Sequence, residues 1–251
     1  MKWHPILMSD ESMRAILAGR KTQTRRVIRD VTSRATQVSQ GATPGIWAIT
    51  YPATDLYPEC VMYRRCPYGV VGDRLWVKEG WRVDMWGECG DEFQFQYRAD
   101  GALSAWLSDP DPEYHANELS LRLWEQSSID AAKAGMKADD EGNYHWEPGQ
   151  GPCRWRSPIF MPRWASRLSL ENTEIRAQQI QDITGEDAEA EGVDVVGSMP
   201  LIPSPDLDID ALATMVGRRL YAPLWDSLNA KRGYPWVAND WVRAITFEVV
   251  T

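Results

Sequence analysis

Lys21 and Thr24 lie three residues apart in a basic, polar segment, a spacing that suits a hydroxyl nucleophile beside its base. A threonine hydroxyl attacks a carbonyl carbon effectively only when a neighbouring base removes its proton. A lysine amine can be that base if burial lowers its pKa towards neutrality, because burial disfavours the charged ammonium form. A nearby carboxylate would orient the lysine or relay a proton. Lysine and threonine are often neighbours in loops, so this spacing is also compatible with a solvated loop.

Two clusters of like charge stand out in a chain whose net charge is −9. Residues 14–34 contain one acid, Asp30, and seven bases: Arg14, Arg20, Lys21, Arg25, Arg26, Arg29 and Arg34. Residues 182–194 contain no base and six acids: Asp182, Glu186, Asp187, Glu189, Glu191 and Asp194. The two clusters are compatible either with solvated surface or with pairing to each other. Arg20, Arg25 and Arg26 are also candidates to bind substrate, because a guanidinium can clamp a phosphate or stack on a base.

The overall charge and composition limit the kinds of partner. The chain has 251 residues, 43% of them hydrophobic, which is enough for a globular core. It has 36 acidic against 27 basic residues, and phosphate contacts need a basic face, so tight non-specific binding to long RNA or DNA is disfavoured. A modified nucleoside or a short RNA segment is therefore the expected partner.

The cysteines and the N-terminal segment indicate the compartment. The four cysteines include no Cys-x-x-Cys pair and the three histidines are scattered, so neither a metal site nor another cofactor is expected. The cysteines are predicted to be free thiols in a reducing cytoplasm. The N-terminus lacks the apolar run of a signal peptide, and no apolar stretch approaches the ~20 residues that span a membrane. The sequence therefore predicts a cytoplasmic protein without membrane contact.

Local patterns place the basic segment directly after a short helix. Residues 5–8 are apolar and predict a strand. The capping residues and apolar spacing of residues 9–17 predict a helix that Gly19 ends. Residues 19–26 are predicted to form a loop, and residues 27–28 the start of another strand.

Alternation of apolar and polar residues indicates most of the remaining strands. The predicted strands are residues 46–49, 74–81, 93–97, 167–176 and 241–250. A short helix is predicted to begin at Thr184, with Asp187 three residues on as in a capping box, and to stop at Gly192. An amphipathic helix is predicted around residues 220–228. Residues 82–155 show no clear succession of strands and helices and are interpreted as an insertion.

Five segments dispersed along the chain carry motifs of one family. Residues 16–25, Ile-Leu-Ala-Gly-Arg-Lys-Thr-Gln-Thr-Arg, are the most specific, and residues 71–77 and 180–193 accompany them. These three segments resemble the ASCH-domain family. Residues 158–167 and 224–234 resemble its longer phage and prophage members.

The resemblance implies an α+β fold, a PUA-like β-barrel with flanking helices, in a single domain over residues 1–251 with residues 82–155 inserted. Some small members of the family are amidohydrolases that remove the acyl group from N4-acetylcytidine. In them the loop lysine, the threonine three residues later and a glutamate of the later helix are catalytic. The matching residues here are Lys21, Thr24 and Glu191.

The end of the predicted strand 74–81 supplies two further candidates for substrate binding. Glu79 is predicted either to face the barrel mouth and contact the substrate or to be an exposed glutamate at a strand end. Trp81, like Trp76, is a candidate to stack on a base. Core packing is the default for each of the 13 tryptophans, because an indole buries a large area.

Three functions are compatible with these residues. The first is an amidohydrolase acting on N4-acetylcytidine or a related modified nucleoside, in which Thr24 attacks, Lys21 accepts the proton and Glu191 supports Lys21 or protonates the leaving amine. The second is a non-catalytic protein that binds RNA or a modified base, with the basic loop on the backbone and one base in a pocket. The third is a ribonuclease using Lys21 and Glu191, which is least favoured because the scattered histidines do not supply the usual imidazole pair.

Overall fold

The computed structural model describes residues 1–29, 31, 35–87, 92–108, 116–200 and 208–250. The strands within this part of the chain are β1 (Trp3–Leu7), β2 (Gln23–Val27), β3 (Gln37–Gln40), β4 (Ile46–Tyr51), β5 (Cys60–Arg65), β6 (Arg74–Lys78), β7 (Trp81–Trp86), β8 (Glu92–Tyr97), β9 (Leu107–Ser108), β10 (Ser169–Gln179) and β11 (Trp241–Val250). The α-helices are α1 (Asp10–Leu17), α2 (Ala116–Lys133), α3 (Gly185–Ala190) and α4 (Ile209–Asn229). This mixture confirms the predicted α+β class. Asp30, Arg34 and Cys89 lie outside the described residues.

The strands form three sheets. One has the order β1-β6-β10-β11-β2, the second β3-β4-β5 and the third β7-β8-β9. In the five-stranded sheet β1 and β2 are the edges, so the pairings of the described strands do not close a barrel. Among the described helices, none combines the length and apolar character that crossing a bilayer requires.

The chain divides into two compact units. The first comprises Met1–His4, Ala15–Leu75 and Leu170–Thr251, and the second comprises Pro5–Arg14 and Trp76–Ser169. The predicted insertion, residues 82–155, falls within the second unit. A single domain over residues 1–251 stays a prediction.

The first unit is organised by the pairing of β2 with β11 and by the packing of α3 on α4. The two strands are antiparallel, with Thr24 opposite Ile245 and Arg25 opposite Ala244. Residues 242–245 of β11 are all buried, which explains why a strand as polar as β2 is held there. The short helix α3 and α4 approach closely at Gly185 and Gly217. A Cβ on Gly185 would lie 2.7 Å from the backbone of Ala213, and one on Gly217 would lie 3.0 Å from the Ala188 Cβ.

A second apolar cluster of the first unit surrounds the small sheet β3-β4-β5. It contains Ile28, Val38, Trp47 and Ile49, each at most 8% exposed, and the buried thiol of Cys66. The strand predicted at residues 46–49 is confirmed as β4, whereas β5 has no counterpart in the sequence predictions. Most of β5 is exposed, so it lacks the apolar alternation by which a half-buried strand is recognised.

The second unit is built on an aromatic core. Trp81, Phe93, Phe95 and Tyr97 on β7 and β8 are each at most 1% exposed, and Trp81 meets Phe95 edge to face at 5.3 Å. The Tyr97 hydroxyl donates a hydrogen bond of 2.9 Å to the Ala165 carbonyl oxygen. These contacts bury large rings and satisfy the one polar atom of Tyr97, as a stable core requires.

Three boundaries differ from the predictions. Residues 19–26 are not all loop, because β2 begins at Gln23 and includes Arg26. The predicted strand 74–81 is two strands, since β6 ends at Lys78 and β7 begins at Trp81. The helix predicted around residues 220–228 begins earlier, at Ile209, where Asp208 caps it through a 2.9 Å hydrogen bond from the Ala211 amide.

Candidate functional site

Lys21 is fixed by backbone hydrogen bonds on both sides of the turn that follows α1. Gly19 has a φ of +69°, which favours glycine, and the amides of Arg20 and Lys21 both donate to the Ala15 carbonyl at 2.9 and 3.1 Å. The Thr22 amide then donates to the Ala190 carbonyl at 2.8 Å. Lys21 therefore lies directly beside the C-terminal end of α3.

Glu191 follows α3, and Gly192 ends the helix there. The Glu191 amide donates to the Asp187 carbonyl at 3.0 Å, and Gly192 has a φ of +93°. The Val193 amide donates back to the Ala188 carbonyl at 3.0 Å, which completes a typical glycine helix end. The predicted capping box at the other end is confirmed, because the Asp187 amide donates to the Thr184 hydroxyl at 3.1 Å and the Thr184 amide donates to the Asp187 carboxylate.

Lys21 and Glu191 form a buried ion pair. The Lys21 Nζ lies 2.5 Å from Glu191 Oε2 and 3.0 Å from the Glu191 carbonyl oxygen, and both side chains are at most 5% exposed. Burial lowers the pKa of Lys21 below its ordinary value, and the Glu191 carboxylate opposes this shift. The structure therefore brings together two of the three residues predicted to be catalytic.

Arg25 binds the other oxygen of Glu191 and connects it to Asp187. Its Nη1 lies 3.2 Å from Glu191 Oε1, its Nη2 lies 2.7 Å from Asp187 Oδ2, and its side chain has no exposed surface. Asp187 also accepts from Arg176. Burial raises the pKa of Asp187, but Arg176 and Arg25 outweigh burial and hold this pKa below its usual range.

Tyr221 of α4 lies beside Arg25 in this cluster. The Arg25 guanidinium lies 5.9 Å from the centre of the Tyr221 ring, and Tyr221 is 4% exposed. Burial and the negative charge of Glu191 raise the pKa of the Tyr221 hydroxyl well above its ordinary value. Tyr221 is therefore a neutral phenol throughout the physiological range.

The pairing of the two charge clusters is confirmed at this site. Lys21, Arg25 and Arg176 face Glu191 and Asp187, so the cluster has near-balanced charge. Burial of the cluster makes each partner depend on the others, because removing one partner of a buried pair typically costs about 3–5 kcal/mol. Asp187, Arg176 and Tyr221 were not predicted as members. The capping box identifies Asp187 in the sequence, but nothing local indicates that its carboxylate also reaches two arginines.

Thr24, the third residue of the predicted catalytic set, is 5% exposed on β2. Successive side chains of a strand point to opposite faces, so Thr24 and Arg25 are directed to opposite sides of β2. Among the described residues, no hydrogen bond joins the Thr24 hydroxyl to Lys21 or Glu191. The lysine and glutamate thus meet in the structure, and the participation of Thr24 stays a prediction.

The other arginines predicted to bind substrate differ in environment. Arg20 is exposed beside Lys21, and Arg26 is half-buried on β2 opposite Arg243. Arg25 is buried within the ion-pair network, so the alternative that it is simply solvated is wrong. The substrate-binding roles of the three arginines stay predictions.

Glu79 and Trp81 belong to the second unit. Glu79 is 1% exposed and accepts two hydrogen bonds from Arg167, at 2.8 and 2.9 Å, so the alternative of an exposed strand-end glutamate is wrong. Burial raises the pKa of Glu79 despite the opposing charge of Arg167. The Arg167 guanidinium also lies 4.2 Å from the centre of the Tyr97 ring. Trp81 is 1% exposed and packs in the aromatic core, which is the core packing expected by default for each tryptophan.

Two cavities are lined by residues outside the Lys21 cluster. One, of about 550 Å³, lies in the second unit and includes Trp81 in its lining. The other, of about 430 Å³, lies in the first unit, where His4, Cys66 and Asp73 contribute to its wall. Among the described residues, no group of three or more histidine, cysteine or acidic side chains is arranged to hold a metal ion.

Comparisons with protein-family models, with curated proteins and with solved structures give no match.

Proposed function

We propose that this chain is an ASCH-type protein with a PUA-like fold, and that it is an amidohydrolase that deacylates N4-acetylcytidine or a related modified nucleoside. The observation that carries this proposal is the buried pair of Lys21 and Glu191. Lys21 lies two residues before β2, the strand that contains Thr24. The five-stranded sheet with α3 and α4 is compatible with the PUA-like part of the proposal.

The bonding of Lys21 suits a general base. A protonated lysine has three N–H donors and no lone pair. After losing one proton it retains two N–H groups, which match the two acceptors that Glu191 provides, at Oε2 and at the carbonyl oxygen. The nitrogen lone pair then remains to accept a proton, and burial makes this neutral form accessible because it lowers the pKa of Lys21.

The reaction would proceed in two steps. The first step requires a local rearrangement of β2, because Thr24 is directed to the side opposite Arg25, which binds Glu191. The Thr24 Oγ1 then bonds to the acyl carbon as its proton passes to Lys21, and the bond from that carbon to N4 breaks as N4 receives the proton, with Glu191 as relay. This releases cytidine and leaves an acyl ester on Thr24. Water then attacks the ester, giving its proton back through Lys21, and releases the carboxylic acid and the free hydroxyl.

Arg25 has the role of a positioning residue in this scheme. It binds Glu191 Oε1 while Lys21 binds Oε2, so the carboxylate is held from both sides. Asp187 in turn fixes Arg25 at 2.7 Å. Such support restricts the carboxylate to one orientation, which is what a proton relay needs.

The test is incubation of the full chain with N4-acetylcytidine and chromatographic measurement of cytidine. We expect Lys21→Met, Glu191→Gln and Thr24→Val each to lower the rate by roughly 10²- to 10⁴-fold, the usual contribution of a nucleophile or general base. Thr22→Val is the matched control, because Thr22 is an exposed threonine of the same turn. Absence of cytidine with the unaltered chain, or full activity of Thr24→Val, would contradict the proposal.

A second candidate is a non-catalytic protein that binds RNA or a modified base. The observation in its favour is that the Thr24 hydroxyl has no hydrogen bond to Lys21 or Glu191 among the described residues. This candidate predicts RNA binding that weakens with added salt and persists in Thr24→Ser. Absence of binding to any RNA at low salt would remove it.

A further inference from the structure

The strand β5 is an exposed edge of the sheet β3-β4-β5. Within the described part of the chain its one partner strand is β4, so its other side presents backbone groups to solvent. Three of its apolar side chains, Val61, Met62 and Tyr63, are at least 37% exposed. Such an edge is a template for a further strand, because its N–H and C=O groups are already arranged for a ladder.

The edge formed by β5 lacks the usual protections of a free edge. Its six residues pair with six residues of β4 in one continuous register, without a bulge. They include no proline and no lysine, and their charges are confined to one end, at Arg64 and Arg65. The turn before the strand adds Leu56 and Tyr57, which are 84% and 71% exposed. An apolar edge without these protections favours a strand that covers it.

The hydrogen bonds to β4 decide which residues of β5 can bond to a further strand. The Cys66 amide, directly after β5, donates to the Gly45 carbonyl, directly before β4, at 2.7 Å. In an antiparallel ladder the residues bonded to one neighbour alternate with residues whose N–H and C=O point the other way. The even-numbered residues therefore bond to β4, and Val61, Tyr63 and Arg65 direct their backbone groups outward.

The outward backbone groups are largely available to a partner. The Tyr63 carbonyl accepts from the side chain of the next residue, Arg64, at 3.1 Å, and the Arg65 carbonyl accepts from Arg243 at 3.5 Å. A carbonyl oxygen has two lone pairs, so each can accept a second bond. The outward amides of Val61 and Tyr63 have no acceptor among the described residues.

A second copy of β5 in antiparallel orientation fits this pattern best in one register. With Met62 on the two-fold axis, Val61 of each copy lies opposite Tyr63 of the other, and both are hydrogen-bonded pairs. The same register places Glu59 of each copy opposite Arg65 of the other. An axis at Val61 would place Glu59 opposite Tyr63, and an axis at Tyr63 would place Arg65 opposite Val61. Either shift loses both pairs of opposite charge.

The side chains of Glu59 and Arg65 are available for these contacts. Both residues are exposed, and neither side chain forms an ion pair within the part of the chain that the structure describes. Opposite charges that face each other across strands stabilise the pairing, and like charges weaken it. Two copies of a chain with net charge −9 repel each other, so local complementarity of this kind matters for association.

We propose that this chain forms a symmetric dimer in which two β5 strands pair antiparallel about Met62. The two sheets β3-β4-β5 then become one continuous six-stranded sheet. Each copy contributes the same edge, so the assembly closes at two copies. The interface shares no residue with the Lys21 cluster and goes beyond the proposed deacylation.

The first test measures the mass of the full chain by light scattering over a concentration series. We expect the mass to rise from that of one chain to that of two and to stop there. Arg65→Glu should raise the dissociation constant at least about tenfold, because it sets two carboxylates opposite each other at both ends of the interface. Adding Glu59→Arg to this variant exchanges the two charges and should restore dimerisation.

Arg219→Glu is the matched control, because Arg219 is exposed, lies on α4 and changes the net charge by the same amount. It should keep the dissociation constant of the unaltered chain. If a melting curve shows that Arg65→Glu does not fold, Glu59→Arg replaces it, since Glu59 precedes β5 and sets two arginines opposite each other.

The second test fixes the register by a disulfide in a Cys60→Ser, Cys89→Ser background. Across the proposed axis the two Met62 Cα atoms would lie about 4.5 Å apart, as in any pair without hydrogen bonds. This separation is within the roughly 4.4–6.8 Å that a disulfide spans, so mild oxidation of Met62→Cys should give a covalent dimer. Tyr63→Cys is the control, because its two copies would be diagonal neighbours about 7–8 Å apart and should link poorly.

Four results would overturn the proposal. The first is the mass of one chain at every concentration up to about 1 mM. The second is a mass that continues to rise beyond two chains. The third is an unchanged dissociation constant in Arg65→Glu. The fourth is a covalent dimer that forms as readily with Tyr63→Cys as with Met62→Cys.

Discussion

At the scale of single residues, the protonation of Lys21 decides what the site can do. Burial is the larger influence on its pKa and lowers it, while Glu191 opposes the shift at 2.5 Å. A buried ammonium paired with a carboxylate is a structural ion pair, but a buried neutral amine in the same place is a base. The two forms differ by one proton, so pH is the variable that separates them.

The free energy of unfolding should record this shift. The unfolded chain has a lysine pKa of about 10.4 and the folded chain a lower one, so between the two values the unfolded state binds more protons. Stability contributed by Lys21 therefore rises as pH rises through this window, up to about pH 10.4. We expect the free energy of unfolding, measured with urea, to rise less steeply from pH 7 to pH 10 in Lys21→Met than in the unaltered chain.

Lys231→Met serves as the control for that measurement, because Lys231 is an exposed lysine of the same unit. The control should keep the pH dependence of the unaltered chain. An identical slope in Lys21→Met and in the unaltered chain would mean that the pKa of Lys21 is not lowered on folding.

The sequence predicts part of this site and misses the part that depends on tertiary contacts. Lys21 and Glu191 are identified by motif, although 170 residues separate them. Arg176 and Tyr221 are not identified, because a lone arginine in an alternating strand and a tyrosine in an amphipathic helix have ordinary explanations. Only the folded arrangement brings them to Asp187 and Arg25.

At the scale of elements, local sequence signals predict the ends of helices better than they predict polar strands. Thr184 and Gly192 correctly bound α3, and Gly19 correctly follows α1, because capping and positive φ are set by a few adjacent residues. The strand β2 was predicted as loop, since Gln23 to Arg26 contain no apolar residue. Its pairing with β11 and the acids near Arg25 outweigh local preference, and neither is visible in the segment itself.

Gly192 should be intolerant of a side chain for two reasons. Its φ of +93° strains any other residue, and an added Cβ would lie 3.3 Å from the Ala15 Cβ and 3.5 Å from the Lys21 Cβ. We expect Gly192→Ala to lower the free energy of unfolding by about 1–3 kcal/mol. Gly135→Ala is the matched control, because Gly135 has a φ of +82° with nothing within 4 Å of an added Cβ. An equal loss in both variants would show that the contacts of Gly192 add nothing.

At the scale of the whole molecule, each compact unit contains its own core and its own buried thiol. Cys66 packs in the first unit and Cys153 in the second, whereas Cys60 is exposed. Burial raises the pKa of Cys66, and it raises that of Cys153 to about 11. The thiolate is the reactive form, so both buried thiols are protected twice, by access and by protonation.

The number of thiols that react with a labelling reagent should therefore show whether both cores are folded. In a Cys89→Ser background we expect one fast-reacting thiol per native chain, Cys60, and three after denaturation. Mass spectrometry of the labelled peptides identifies which cysteines react. Rapid native labelling of Cys66 or Cys153 would contradict the burial of the corresponding core.

The pairing of β2 with β11 also has a consequence for biosynthesis. Gln23 and Thr246 are partners across 223 residues of sequence. At roughly 5–20 residues per second, a ribosome needs on the order of ten to forty seconds to make the stretch between them. For that interval the nascent β2 has no β11 to cover its edge. Lys21 also has no Glu191 until a further 170 residues have been made. The early segment therefore leaves an unpaired strand edge open to wrong partners during translation.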